Sequence, residues 1–441
     1  MRVSGTAKLL NACVWSSLLL PLPSAQANMA FTASEEPLNT IIITARRLEE
    51  SAQDVPISVT SIRGETLNQA GITTAQELQQ VVAGLQVAVP NPRLAQFTLR
   101  GLGSSSFNEG LESSVGLFVD GVYLGRQSMS ITDLIDIERI EVARGPQGTL
   151  FGKNATAGTI HVITQKPQFT PQALMEVSGG SEGTAQIRGT VTGPVNSTTA
   201  LRLTAWHNER EGLVDNQFNG ERYNDRHREG VRGQLLWAPT AKLSSRVIAE
   251  YSRLDERCCA FPLFGEPSKT VNARDEYVGY QRVSGNPLDR IADLNVRPSS
   301  QAEQYALSNE TQWDFDLRHR LVSISAFRDF QFKPITEDNT SLDLVVSGTS
   351  SAQTQFSQEL RIDSRWRHAE TVLGLYVLNQ NTRGSEYVRL GEDMSQWIFG
   401  GLIRENIPFA NKENTGALLN ALIPPETLAG METRTPFQQK A

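Results

Sequence analysis

Residues 144–167, RGPQGTLFGKNATAGTIHVITQKP, place glycines in bursts around a Gly-Lys pair, the residue types of a loop that wraps phosphate. Such a loop needs Gly, four residues, then Gly-Lys-Ser/Thr, so that amides surround the phosphates and the hydroxyl meets magnesium. Here Gly148 and Gly152 stand too close together and Asn154 occupies the hydroxyl position. Residues 159–163, just downstream, read as a strand and not as a helix whose N-terminus could hold an anion. A nucleotide loop is excluded.

Other reactive types fare no better. GGSEG at 179–183 centres Ser181 in the spacing of a hydrolase elbow, which needs a strand-to-helix turn with Asp and His partners. Strand-like LMEVS before it and TAQIRGTV after it predict a hairpin tip instead. The histidines, His161, His207, His227, His319 and His368, show no metal-ligand spacing, so neither catalysis nor a metal site is expected. Cys258 and Cys259 are adjacent in a long polar loop. In an oxidising compartment they would bond to each other or to other chains.

The chain has 441 residues, a net charge of -7 and no basic footprint for nucleic acid. Arg2 and Lys8 precede an apolar stretch, LLNACVWSSLLLPLP, that ends at SAQA, where Ala25 and Ala27 form a small-x-small cleavage pattern. Residues 1–27 therefore read as a secretory signal, taking Cys13 with them, and 28–50 as a polar leader.

The elements that must position everything else come in two grammars. Residues 51–168 read as a compact α/β unit. PISVTSI, FTLRGL, GLFVDGVYL and IERIEVA are strands between glycine and polar turns. TTAQELQQVVAGL, with Thr74 and Glu77 in capping-box spacing and Leu78, Val81 and Val82 on one face, predicts a helix. From 169 to 441 a period of two takes over. Tyr305, Leu307, Thr311, Trp313 and Phe315 share one face, with Asn309 the exception, as do Phe356, Leu360, Ile362 and Trp366, with mostly polar residues between them. That alternation fits a one-sided sheet or a membrane barrel with a polar lumen. Nine segments are expected, at 172–180, 184–193, 199–210, 229–239, 242–254, 303–315, 320–331, 353–366 and 370–382. Their links alternate between short turns and long loops (211–228, 255–302, 331–352, 383–430), the asymmetry of outer-membrane barrels.

Beside this barrel pattern the glycine-rich stretch gains a context. IERIEVARGPQGTLFGKNATAGTIHVITQKP resembles the end of the plug domain of TonB-dependent outer-membrane receptors, and FTLRGLG and FVDGVYLGR match two further plug motifs in order. IIITARRLEESAQDVPISVT, residues 41–60, resembles the family's TonB box and plug entry. The resemblance implies an α/β plug followed by an antiparallel transmembrane β-barrel of 22 strands, in the bacterial outer membrane and in contact with its lipid. It implies active uptake of a scarce nutrient, foremost a ferric siderophore as cargo, with TonB and its ExbB-ExbD complex as partners and no resident cofactor. Thr40, Ile41, Ile42, Ile43, Thr44 and Ala45 would be the box, although composition alone equally suits a first strand. Glycines would give close packing inside a crowded lumen. Arg100 and Arg144 would lock plug to barrel through acidic partners.

One departure stands out. At roughly 25–30 residues per strand with its loop, residues 169–441 hold about half of 22 strands. The tail ETRTPFQQKA lacks an amphipathic, aromatic-terminated last strand. The expectation is the N-terminal part of a barrel, hence a truncated receptor. A non-functional fragment, or a passive pore or adhesin, is the alternative reading.

Overall fold

A computed structural model describes residues 42–44, 46–89, 95–103, 112–130, 133–424 and 428–440. The signal segment, Thr40, Ile41 and Ala45 lie outside these. The N-terminal unit contains β1 (Ile42–Ile43), β2 (Glu50–Ser51), β3 (Val59–Arg63), α1 (Gly64–Gln69), β4 (Leu85–Ala88), β5 (Gln96–Leu99), β6 (Leu102–Gly103), β7 (Val115–Val119), β8 (Val122–Tyr123), β9 (Ile137–Arg144), α2 (Gly148–Phe151) and β10 (Gly158–Thr164). Its main sheet runs β3-β9-β10-β7-β8, with β10 and β7 parallel and the other pairs antiparallel.

Two motifs expected to be single strands are hairpins. In GLFVDGVYL the chain turns at Asp120 and Gly121, and in FTLRGL at Arg100 and Gly101, all four with positive φ. Positive φ at both central residues is the geometry of a tight two-residue hairpin turn, which Asp-Gly favours. The predicted helix over TTAQELQQVVAGL shrinks to a 3-10 turn at Glu77–Gln80. The Glu77 carboxylate accepts from the Thr73 and Thr74 amides, and past Gly84 the chain must extend to pair β4 with β5. Leu78 and Val82 enter the core, whereas Val81 faces out. In the stretch 144–167 the glycines have steric reasons. Gly145 and Gly152 adopt positive φ, and a side chain on Gly158 would collide with the Ala143 carbonyl.

Behind this unit stands a wall. Its chain order is β11 (Gln172–Gly179), β12 (Ala185–Asn196), β13 (Thr199–Arg210), the loop strands β14 (Val214–Asn216) and β15 (Arg222–Tyr223), β16 (Arg226–Thr240) and β17 (Leu243–Glu256). Next come α3 (Lys269–Val278) and β18 (Ile291–Ala292) within a loop, then β19 (Ser299–Asp314), β20 (His319–Glu337), β21 (Val345–Arg365) and β22 (Glu370–Leu390). Helices α4 (Gly401–Asn406) and α5 (Lys412–Leu422) precede β23 (Glu432–Lys440).

The wall is a ten-stranded antiparallel meander, β11-β12-β13-β16-β17-β19-β20-β21-β22-β23. Two expectations are corrected. Most of residues 331–352, read as loop, belongs to β20 and β21, which run on to Glu337 and resume at Val345. The tail, outside the nine expected segments, forms a further strand, β23, paired with β22 from Asn381↔Lys440 to Arg389↔Glu432, though it is neither amphipathic nor aromatic-terminated. Among the described residues the wall therefore has ten strands instead of nine. Pro436 fits because β23 pairs on one side only, and an edge strand tolerates a missing donor.

Burial in the wall is inverted relative to a water-soluble sheet. Tyr305, Leu307, Trp313, Phe356 and Leu360 are exposed on the outer face, while Arg202, Arg232, Arg246, Gln353, Gln355 and Glu359 are buried. Apolar-out, polar-in alternation is what a lipid-facing strand around a filled lumen requires. The N-terminal unit fills that lumen: its core of Ile62, Leu78, Phe97, Leu117, Ile140 and Val142 continues into Phe330 and Phe332 of β20.

Candidate functional site

Three assemblies organise the molecule: the leader, the seam between plug and wall, and the loops at one rim. The described residues of the leader, 42–44 and 46–50, are well anchored. Ile42 and Ile43 pair with Ser51 and Glu50, and Ile43 is fully buried against Val55. The Thr44 amide donates to both oxygens of the Glu141 carboxylate (2.9 and 3.0 Å), and its hydroxyl reaches the same group at 3.2 Å. Glu141 is itself buried and paired with Arg139 at 2.8 Å. Arg46 forms a two-pronged pair with Glu50 and lies 3.9 Å from Glu370. The Arg47 guanidinium sits 4.4 Å from the Phe151 ring centre and 3.3 Å from Glu359 on β21. Arg365 donates to the Glu49 carbonyl at 3.2 Å. Glu370, Arg365 and Glu49's neighbour Arg320 all flank short turns, at 315–318 and 366–369. The leader is thus stitched to the short-turn rim.

The seam is built from plug acids meeting wall arginines. Asp136 accepts from Arg202 Nε at 2.7 Å and from the Thr204 hydroxyl at 2.8 Å. Asp133 takes Asn208 at 2.7 Å and Arg228 at 3.1 Å, and Arg228 is also held by Glu256. Asp120, at the β7–β8 turn, faces Arg246 at 3.3 Å and accepts from the Thr164 amide and hydroxyl. Burial pushes the Asp120 carboxyl up, but Arg246, the Thr164 amide and Arg232 together outweigh it and hold the group below the usual carboxylate range. Arg126 runs the other way, from plug to wall, donating to Gln353, Thr382 and Gln439. The last of these ties β23 to the plug. A cavity of about 50 Å³, lined by Leu78, Met129, Arg232, Glu250 and Arg328, lies along the same seam.

Arg100 and Arg144 are not part of it. Arg144 donates twice to the Ala83 carbonyl (3.2 and 3.0 Å) and Arg100 donates to the Ser58 hydroxyl at 3.1 Å, all at exposed positions. Neither makes an ion pair among the described residues. The expectation of plug–barrel locking by these two arginines is corrected. They brace turns within the plug, and the locking groups are the acids Asp120, Asp133 and Asp136. Sequence reasoning missed them because their partners lie 126, 95 and 66 positions away.

At the opposite rim the loops fold into a cap. Val214, Tyr223, Ala260, Ala292 and Leu294 form a small core of their own. Cys258 and Cys259 are bonded to each other beside it, the first of the two expected pairings. Loops 257–298 and 391–431 close on one another. Trp397 donates to Asp275 at 2.8 Å, Arg404 pairs with Glu276 at 2.7 Å, and the Thr415 hydroxyl donates to the Tyr277 hydroxyl at 3.2 Å. Phe218, Phe264, Leu288 and Phe409 stay exposed on this cap. GGSEG is the hairpin tip between β11 and β12, with no helix after Ser181.

Comparison with known proteins agrees with this geometry. Residues 51–159 match the TonB-dependent Receptor Plug Domain family model. The pesticin receptor of Yersinia pestis is 33% identical over 193 residues, which cover 42% of this chain and 28% of that protein. A vitamin B12 transporter of Vibrio vulnificus is 30% identical over 211 residues, 47% of this chain and 33% of that protein. Among solved structures, the ferric yersiniabactin uptake receptor FyuA from Yersinia pestis superposes with a TM-score of 0.63 at 22% identity, covering 76% of this chain and 49% of that one. Pseudomonas aeruginosa FpvA bound to a heterologous pyoverdine gives 0.62 at 16% identity, with coverages of 79% and 45%. The chain spans about half the length of these solved receptors.

Proposed function

We propose that the chain is a receptor of the TonB-dependent family of the bacterial outer membrane, whose plug-domain model matches residues 51–159, and that it serves TonB-driven uptake of a ferric siderophore. The observation that carries this reading is the leader. A short extended segment docks on the plug through two backbone pairs and one carboxylate, at the rim of short turns, opposite the loop cap. Residues 40–45 would add to a TonB strand by backbone pairing, a mode that draws affinity from main-chain hydrogen bonds. ExbB-ExbD would energise that partner. Engagement competes with the β1–β2 pair and with Thr44–Glu141. Because Arg47 packs between leader, Phe151 and Glu359, traction on the leader would be felt both in the plug core and at β21.

The cap would take the cargo. Its exposed aromatic and aliphatic side chains suit a large, partly apolar chelate better than a free ion. Ferric siderophores are favoured by the named ligands of the yersiniabactin and pyoverdine receptors, and a corrinoid by the likeness to the vitamin B12 transporter. Deleting residues 40–45 in a receptor whose barrel is closed by a relative's remaining strands should abolish uptake of radiolabelled ferric siderophore while sparing binding to whole cells. Undiminished uptake would overturn the TonB assignment. Equal uptake without TonB would favour a passive pore.

A further inference from the structure

On the outer face of the wall, just beyond its last aromatic pair, two histidines distant in sequence meet. Tyr251 and Tyr305 stack across β17 and β19 with ring centres 4.9 Å apart. Tyr251 is opposite Val231 on β16. One step further toward the 211–225 loop, Glu229 stands opposite His207, and one more step on, His227 stands opposite Glu209. Because side chains repeat every second residue, all four share the outer face. The imidazole centres of His207 and His227 are 5.3 Å apart. His207 Nε2 lies 3.5 Å from Glu209, and its Nδ1 lies 3.9 Å from Glu229. One donor atom from each of His207, Glu209 and His227 falls within 4.8 Å of the others.

We infer that His207, His227 and Glu209 bind a divalent transition-metal ion of the zinc class, with Glu229 orienting His207. Two imidazole nitrogens and one carboxylate are a zinc-type donor set, whereas calcium or magnesium would call for oxygen throughout. With bonds of about 2.0–2.2 Å, tetrahedral ligand atoms sit roughly 3.3–3.5 Å apart. The three groups must draw in by about an ångström, which half-exposed outer-face side chains can do by changing rotamer. Glu229, 3.9 Å from Nδ1, would accept the Nδ1 proton after the same small rotamer change, which leaves Nε2 as the ligand atom, the usual carboxylate–histidine–metal relay. A fourth coordination position would be left to water. The ion would clamp β13 to β16 where their ladder ends, one pair beyond Glu209↔His227, at the base of the 211–225 loop. The chain positions hide the site because the ligands come together only through strand pairing.

The test uses the full chain in detergent micelles, stripped of chelators and titrated with Co²⁺. One Co²⁺ per chain should bind with the visible absorption of a four-coordinate site and be displaced by Zn²⁺. His207→Ala, His227→Ala or Glu209→Gln should weaken binding at least tenfold, Glu229→Gln a few-fold, and His368→Ala not at all. None of these side chains belongs to the core. In outer-membrane vesicles, Zn²⁺ should also protect His207 and His227 from diethyl pyrocarbonate, read by mass spectrometry. Equal Co²⁺ affinity in the His207→Ala/His227→Ala double variant, or no protection at stoichiometric Zn²⁺, overturns the assignment.

Discussion

Glu141 and His161 are cross-strand partners on β9 and β10, although they serve different neighbours. The Glu141 carboxylate holds the leader through the Thr44 amide and hydroxyl, and hydrogen bonds to a charged group are worth about 1.5–3 kcal/mol each. Glu141→Gln keeps the shape and loses the charge. Trypsin should then cut after Arg46 and Arg47 about tenfold faster, since 1.4 kcal/mol is a factor of about ten. An unchanged rate would mean that the β1–β2 pair and Arg47 suffice. His161 accepts a hydrogen bond from the Gly121 amide through Nε2, beside Phe118. Burial, then the nearby Arg47 charge, push its pKa down to about 3. An unfolded histidine titrates near 6.5, so below that pH the unfolded chain takes up a proton that the folded one refuses. Stability contributed by neutral His161 is therefore complete above about pH 6.5 and drains away as pH falls toward 3. By pH 4.5 the loss is on the order of 3 kcal/mol. His161→Gln preserves an acceptor without titrating, so the drop in melting temperature between pH 7 and pH 4.5 should shrink. If both proteins lose stability equally, His161 is not the responsible group.

At the scale of elements, what could be read in advance was whatever repeats locally. The outward positions of β19 and β21 announce themselves because lipid demands an apolar residue at every second place, and Tyr305, Leu307, Phe356 and Leu360 obey. The plug motifs are legible in order, but apolar content on both sides of their internal Asp-Gly and Arg-Gly turns makes each read as one strand, although Asp-Gly is a strong hairpin signal. The helix expected after Thr74 failed because periodicity cannot see that residues 85–88 are claimed by β5. β23 was invisible for a different reason: a polar edge strand containing Pro436 has neither alternation nor apolar content to betray it, only a partner in β22. The seam acids lack any local pattern at all. The inverted burial makes its own prediction. Leu307→Arg, in the middle of β19 on the outer face, should cost about 2–4 kcal/mol near the bilayer midplane. In lipid vesicles the protease-protected fraction should fall sharply, while Leu307→Ile leaves it unchanged. Equal protection for both variants would mean that this face is not in hydrocarbon.

For the whole molecule the decisive property is that its two rims differ. Turns at 197–198, 241–242, 315–318 and 366–369 are tight, and the leader is fastened among them by Arg365 and Glu370. Every long link, with the cap and its Cys258–Cys259 bond, lies at the other end. The proposed uptake, driven from the periplasm, would require this polarity, since a leader and a cargo surface on one rim could not be worked from opposite sides of the membrane. Short periplasmic turns and long external loops are also how such barrels insert. We therefore predict that, on intact cells treated with a mild reductant, a membrane-impermeant maleimide labels the Cys258–Cys259 pair. In a Cys258→Ser/Cys259→Ser background, Arg367→Cys, placed in the 366–369 turn beside the leader, should label only after the outer membrane is opened. Labelling of Arg367→Cys on intact cells, with the native pair protected until lysis, would invert the molecule. The leader would then face the medium, where no TonB could reach it, and the uptake reading would fall with the topology.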